Sequence, residues 1–408
     1  MNQMQYPLAG IKVLEIATAV AAPTAARIMS SFGADVIKIE TPPQGDILRA
    51  MASAQIQCGI QEENPLFDLY NSGKTLMTLD LKSTQGQNIL NKLLGKTDVF
   101  ITNIRMQSLE RLGLGYDTLK ERFPRLIYAH LSGFGLNGPD VNRPGFDLTA
   151  FWMRSGGAID SVEPGTYPLM PSFAFGDITS ASAFLSGILM ALIARAKSGK
   201  GTLVSTSLFG AGIWSNASFI VEAQGKRARS FPSSHYSSWD PFSCLYQCSD
   251  GEWIALMEKR YITDRFTFAR VLNMPELIED PELATLEMMS AVGKSEAVIR
   301  KVERIMRTKT SQEWKQIMDD NDIANEIARH FVDIPQDPQA KANGYFDEMP
   351  YFEDDFYAIP IPPIQFSEYA RIKTKKVASL SGDTENILSS LGYSEPEILA
   401  LRKQKVIL

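Results

Sequence analysis

The chain has 408 residues, 44% of them hydrophobic, with a formal net charge of −6; that length allows two or three domains and a full core. Acidic and basic residues are interspersed, which excludes the basic footprint of a nucleic-acid binder and a polybasic membrane patch, so an anionic ligand has to be held locally. No basic segment leads into an apolar run at the N-terminus, and no stretch reaches the roughly 18 apolar residues of a membrane span, so a cytoplasmic protein is expected.

The first 130 residues alternate β-rich runs with helical patterns. Residues 11–16 read as a strand, a helix follows Pro23, and residues 35–39 form the next strand. Residues 75–79 precede a helix near 85–94, residues 98–101 precede helical segments between 107 and 121, and residues 126–130 read as another strand. The alternation predicts an α/β layer with a parallel sheet, half of a doubly wound fold whose ligand crevice opens at the carboxyl ends of the strands. A dinucleotide is disfavoured, because the turn at residues 17–23 has no glycine to let a pyrophosphate approach the backbone.

Further along, Asp177 falls where an extended segment turns into a small-residue helix spanning residues 179–196, which stops at Lys197-Ser-Gly199-Lys-Gly201. Two readings fit this carboxylate: a helix N-cap, which needs no chemistry, or a nucleophile. Gly176 beside it either admits a substrate close to the backbone or serves as a turn residue. Residues 202–206 are a further strand, and the Ser/Pro/Arg-rich stretch 226–238 marks a boundary. Two strands joined by the Asp250-Gly251 turn follow, then helices to about residue 331. Prolines at 335–338 and 360–363 mark an extended return, and residues 383–401 form a capped amphipathic helix interrupted at Gly392. Three cysteines (Cys58, Cys244, Cys248) and three dispersed histidines (His130, His235, His330) provide neither a disulfide framework nor a tetrahedral metal site. No metal is expected, and the cysteines are expected to pack as small apolar groups.

Ordered runs tie these pieces together: residues 7–15 with 21–23, residues 32–40 with Gly45-Asp46, Asn71 to Lys74 before residues 79–82, and residues 98–103 and 112–116. They continue through residues 138–147, Phe175-Gly-Asp177, the Gly199-Lys-Gly201 stop, and Gly382-Asp-Thr384 followed by residues 388–393. Together they resemble the class III CoA-transferases, the family that includes formyl-CoA:oxalate and carnitine CoA-transferases. The resemblance implies an α/β fold with a Rossmann-like large domain, built around a parallel sheet from residues 1–225 and 332–408. It adds a smaller middle domain at 226–331 and an interlocked, ring-like homodimer.

It also implies that Asp177 is the catalytic nucleophile. Its carboxylate would attack the donor thioester to give an aspartyl anhydride, CoA thiolate would return to form an aspartyl-CoA thioester, and an incoming carboxylate would take up the CoA. An ionised carboxylate needs no general base, which suits a chain so poor in histidine, and helix N-terminal amides nearby are expected to stabilise the oxyanions. No permanently bound cofactor is implied. Coenzyme A enters as acyl-CoA, small carboxylic acids are the other substrates, and a downstream dehydratase is a candidate partner. By family position CoA would meet Val20, Ala21, Asn71, Lys74, Asn103, Ile104, Arg105, Arg111, Phe146 and Asp147. Lys74 and Arg111 are expected to supply charge for the phosphates, with an exposed surface cation as the alternative for each. Asp147 has the alternative of a structural carboxylate satisfying Arg143 or a nearby backbone amide.

The chain departs from formyl-CoA transferase at Val20, where that enzyme has glutamine, and at Thr41, where it has arginine. It also lacks a run of four glycines, which argues against oxalate and formate. Its aromatic-rich stretch 231–246, with Trp253 soon after, resembles instead the branch acting on aryl or branched 2-hydroxy acids in amino-acid fermentation, the phenyllactate and 2-hydroxyisocaproate CoA-transferases. Phe173, Phe175 and Ile178 suit either an apolar acyl group or core packing. An α-methylacyl-CoA racemase is the nearest alternative, but that branch has histidine where this chain has Phe146, and phenylalanine moves no proton. A non-catalytic acyl-CoA-binding subunit is a further alternative.

Overall fold

The computed structural model describes residues 6–56, 63–238, 240–258, 260–352 and 355–408; Cys58 and Trp239 lie outside them. Two compact units form, one from Met1–Ala158, Met170–Glu222 and Pro338–Leu408, the other from Ile159–Leu169 and Ala223–Asp337.

In the large unit, β1 (Lys12–Ile16), β2 (Asp35–Glu40), β3 (Thr75–Thr78), β4 (Val99–Thr102), β5 (Ile127–Ser132) and β6 (Leu203–Ser207) make one sheet in the order β3-β2-β1-β4-β5-β6. Every pairing in it is parallel. All four residues of β4 and all but Lys12 of β1 are buried, as a parallel sheet covered on both faces requires. On one face, Val13, Val99, Ile101, Ala129 and Leu131 pack with Ala25 and Met29 of the helix Ala21–Ser31 and with Phe184 and Ile188 of the helix Phe175–Ser198. Each fully buried large aliphatic or aromatic side chain of this kind contributes about 1.5–3 kcal/mol. On the other face, Leu14, Phe100 and Tyr128 meet Ile89 and Leu90 of the helix Thr84–Leu94.

The last residues of the chain complete that second face. Ile387, Leu388, Ile398 and Leu401, from the helices Thr384–Ser390 and Glu395–Lys403, enter the same core. Edge strand β3 also gives its Leu76 amide to Asp383 Oδ2 at 2.9 Å and its Thr78 amide to Thr384 Oγ1 at 3.2 Å. Strands β1 and β4 are neighbours from which the chain departs to opposite sides, so the sheet has its switch point between them, where a crevice opens at the carboxyl ends.

The helix Phe175–Ser198 corrects the expectation that no stretch is apolar enough to span a membrane: its best window has a mean hydropathy of 1.7. Its composition follows from its place in the sheet's cover, where Ser180, Ala181, Phe184, Leu185, Ile188 and Ala191 are buried.

The second unit contains an antiparallel sheet of β7 (Leu245–Gln247), β8 (Trp253–Met257) and β9 (Ala324–Ile327). The third strand is too short and polar to stand out in the sequence. Cys244 and Cys248 are buried in this unit's core with Phe242, Phe268 and Trp314. Residues 159–169, expected in the large domain, group here instead. Glu163 explains why: its carboxylate accepts from the His235 amide at 2.7 Å and from the Ser234 hydroxyl at 2.5 Å. In the large unit a hairpin of β10 (Phe346–Tyr351) and β11 (Asp355–Pro360) occupies part of the expected return passage.

Candidate active site

At the switch point the loops after β1 and β4 are tied together. Asn103 accepts from the Thr18 amide at 3.0 Å and donates to the Thr18 carbonyl at 2.7 Å, spending both ends of its side chain. A cleft of about 500 Å³ opens there. Val20, Ala21, Asn103, Ile104, Arg105 and Phe146 line it together with Asp177.

Asp177 is not the helix cap. The helix Phe175–Ser198 starts four residues before the expected position, behind Ala174, whose φ is +63°. Asp177 therefore sits inside the first turn, and its amide donates to Asp147 Oδ2 at 3.0 Å. A carboxylate from another segment thus takes the cap role that sequence reasoning assigned to Asp177. Of the two structural alternatives for Asp147, the backbone amide is realised; Arg143 instead lies 3.8 Å from Asp140 and over the Phe134 ring. The Phe175 amide goes to the Ser172 carbonyl at 3.3 Å. Two of the first-turn amides expected to serve as oxyanion donors, those of Phe175 and Asp177, are therefore already engaged.

Among the described residues, no hydrogen-bond or ion-pair partner holds the Asp177 carboxylate. Burial, and then the charge of Asp147, push it up to about 7. Burial also raises Asp147, against the Asp177 amide that favours its charge. The same combination of burial and the two carboxylates raises the Tyr70 phenol. Gly176 is required for packing rather than for a turn, because a Cβ there would meet Phe151 Cγ at 2.5 Å and Asp147 Oδ1 at 2.9 Å.

The structure separates Asn71, Lys74 and Arg111 from this cleft. Lys74, expected to offer charge to phosphates, is neither a cleft residue nor an exposed cation. Its ammonium is buried against Glu15 Oε2 and Asn71 Oδ1 at 2.8 Å each and the Pro23 carbonyl at 2.9 Å. Burial, and then the neighbouring charge of Lys38, pull it down to about 7 against the attraction of Glu15, which the two lysines share. Asn71 is fully buried and spends its amide on the Phe67 carbonyl. Arg111 is exposed in the last turn of the helix Met106–Arg111, outside the cleft lining.

Among the lining residues that sequence reasoning did not assign, two carry titratable side chains. Arg143 joins Arg105 as an exposed cleft cation; its only sequence signal was its place in a glycine-rich run. His130, at the end of β5, is buried with Nε2 2.8 Å from the Ile104 carbonyl, so that nitrogen carries the proton; burial lowers its pKa and keeps the ring neutral. A single histidine in an apolar strand gives no warning of that contact. Among the described residues, no group of three or more His, Cys, Asp or Glu side chains is placed to hold a metal ion.

Residues 8–378 match the profile of CoA-transferase family III. The chain is 33% identical over 400 residues to (R)-2-hydroxy-4-methylpentanoate CoA-transferase of Clostridioides difficile, covering 98% of this chain and 99% of that one. It is 34% identical over 400 residues to cinnamoyl-CoA:phenyllactate CoA-transferase of Clostridium sporogenes, covering 98% and 97%. A solved CAIB/BAIF family protein from Brucella suis superposes with a TM-score of 0.76 at 26% identity, over 95% of this chain and all of that one.

Proposed function

Because this chain belongs to CoA-transferase family III and is a CoA-transferase, we propose that it moves CoA between carboxylic acids through a thioester on Asp177. The observation that carries the proposal is the Asp177 carboxylate in the cleft wall, which has no partner among the described residues, while its amide donates to Asp147. A carboxylate locked as a cap would be a poor nucleophile; here Asp147 takes the cap and leaves Asp177 available.

Each step balances without an outside proton donor. The Asp177 oxygen bonds to the thioester carbon and the C–S bond breaks, giving a mixed anhydride and CoA thiolate. The thiolate then attacks the Asp177 carbonyl carbon, releasing the donor acid as its carboxylate. The acceptor carboxylate repeats the sequence in reverse, leaving as acyl-CoA and restoring Asp177. Val20, Ala21, Asn103, Ile104 and Phe146 would contact the CoA chain, and Arg105 with Arg143 would face its phosphates. Asp147 would position the nucleophile, whereas Asn71 and Lys74 would act from beneath the cleft and Arg111 from outside it.

The acids we assign are branched or aryl 2-hydroxy acids, following the names of the two relatives, and the family resemblance supports amino-acid fermentation as their setting. Phe173, Phe175 and Ile178 support an apolar acyl group, since they are 37%, 52% and 42% exposed and core packing does not account for them. We further propose a cytoplasmic homodimer, with the apolar groove formed by Ile28, Leu189, Ile193 and Phe366 against a second copy, and a dehydratase consuming the product.

The test is intact-protein mass after incubation with cinnamoyl-, isocaproyl- and succinyl-CoA, followed by hydroxylamine or borohydride trapping and peptide mapping. An adduct at Asp177 supports the thioester route and names the donor class. Absence of any adduct, with exchange of the substrate α-proton into deuterated water, would assign the cleft to a racemase.

A further inference from the structure

A buried ion network that the transfer steps do not use lies beneath the cleft wall at residues 17–21. Lys38 has a fully buried side chain whose ammonium reaches Glu15 Oε1 at 2.7 Å, Asp46 Oδ2 at 2.8 Å and the Ala17 carbonyl at 2.8 Å. Asp46 Oδ1 accepts from the Ala19 amide at 2.8 Å and the Leu48 amide at 2.9 Å. Lys74 closes the set, binding Glu15 Oε2 and the Pro23 carbonyl in the first turn of the helix Ala21–Ser31. The two lysines thus grip carbonyls at positions 17 and 23, and one carboxylate grips the amide at 19, around the cleft-lining residues Ala19, Val20 and Ala21.

Ala19 is the point where this grip matters. Its φ is +62°, a left-handed conformation that residues with a Cβ avoid. A buried ion pair is weak evidence of stabilisation, because an apolar replacement of similar volume often serves the fold equally well. A network that contacts the backbone on both sides of a strained, ligand-facing residue has a geometric task instead.

We propose that Asp46 and Lys38 are positioning residues for acyl-CoA. They hold the cleft wall at Ala19–Ala21 in its binding shape before the ligand arrives. The inference rests on the reading that this cleft receives the CoA thioester.

Two measurements test it. In the unaltered protein, amide hydrogen exchange at residues 17–21 is expected to be equally slow with and without CoA. Fast exchange in the free enzyme that slows only when CoA binds would overturn the proposal, since the ligand would then be ordering the wall. In kinetics, Asp46→Ala is expected to raise KM for acyl-CoA about tenfold while kcat and KM for the acceptor acid move less than about twofold, the pattern of lost ground-state binding. Asp46→Asn, which keeps an oxygen for the Ala19 amide, is expected to restore most of that KM. Adding Ala19→Gly to Asp46→Ala is expected to restore part, because glycine takes positive φ without help. Equal losses in kcat and KM, with no rescue by either change, would reduce the network to fold maintenance. Acyl-CoA titration of the Asp177→Ala protein separates the two readings. No binding there sinks the assignment of the cleft, whereas binding that Asp46→Ala leaves unchanged sinks only the positioning role. If Asp46→Ala does not fold, the exchange measurement on the unaltered protein decides.

Discussion

Around Glu15 the protein surrounds a buried carboxylate with lysines, and around Asp177 it sets a second carboxylate. Glu15 loses its hydration to burial, yet Lys38 and Lys74 outweigh that loss and hold it below the ordinary carboxylate range. Burial likewise opposes the charge of Lys38, and Asp46 with Glu15 raises it all the same. Asp177 meets the same loss of water with no cation against it among the described residues and Asp147 nearby, so its carboxyl rises to about 7. One residue class thus does two jobs in one unit: matched charge holds backbone in place, and unmatched charge stays available for reaction.

The largest effect should come from removing the unmatched group. Asp177→Ala is expected to lower the transfer rate by more than about 10³-fold, the scale of losing a nucleophile, with the circular dichroism spectrum and acyl-CoA binding retained. Activity within tenfold of the parent would remove Asp177 from the chemistry.

On the matched side the loss should appear in stability rather than turnover. Glu15→Gln leaves Lys38 and Lys74 short of a buried negative charge and is expected to cost about 3–5 kcal/mol, the usual price of breaking one partner out of a buried pair, read by denaturant unfolding. A cost under about 1 kcal/mol would mean that water reaches the network.

Next in size is the packing beneath the nucleophile. Gly176→Ala places a Cβ 2.5 Å from Phe151 Cγ, and overpacking of that kind costs about 1–3 kcal/mol. Because Asp147 lies against the same spot, the variant should also displace the cap and slow transfer more than it weakens CoA binding. An unchanged melting temperature would show that Phe151 moves aside freely.

The smallest effects, and the most diagnostic of the contrast, are in pH. Asp177 attacks only when ionised, so the rate should climb as pH rises through about 7, and Asp147→Asn should move that limb to lower pH by removing a neighbouring charge. The two carboxylates link to stability with opposite signs. Asp177, raised from 3.8, favours folding at low pH, and that contribution is lost as pH rises through its folded value. Glu15, lowered from 4.5, contributes above its unfolded value and loses that contribution as pH falls through its folded one. Asp177→Asn should therefore flatten the decline in melting temperature between pH 3.8 and about 7, and Glu15→Gln should flatten the acid limb. Parallel pH–stability curves for the two variants would erase the distinction between the sites.

Much of the large unit was legible in the sequence. The six strands of the parallel sheet fall within a residue or two of their expected positions, because short runs bounded by turn residues are local signals. The order of runs along the chain likewise carried the family resemblance, and the composition of residues 175–198 placed Asp177 at a helix beginning. Tertiary structure decided what the charged groups do. Lys74 could have faced a phosphate or solvent, and only the approach of Glu15 and Pro23 from distant segments buries it. Asp147 lies 30 residues before the amide it caps, and the C-terminal helices reach β3 from some 300 residues away. Periodicity and capping preference report on neighbours within a turn or two, whereas the protonation and partners of a buried charge depend on whichever segments the fold packs around it.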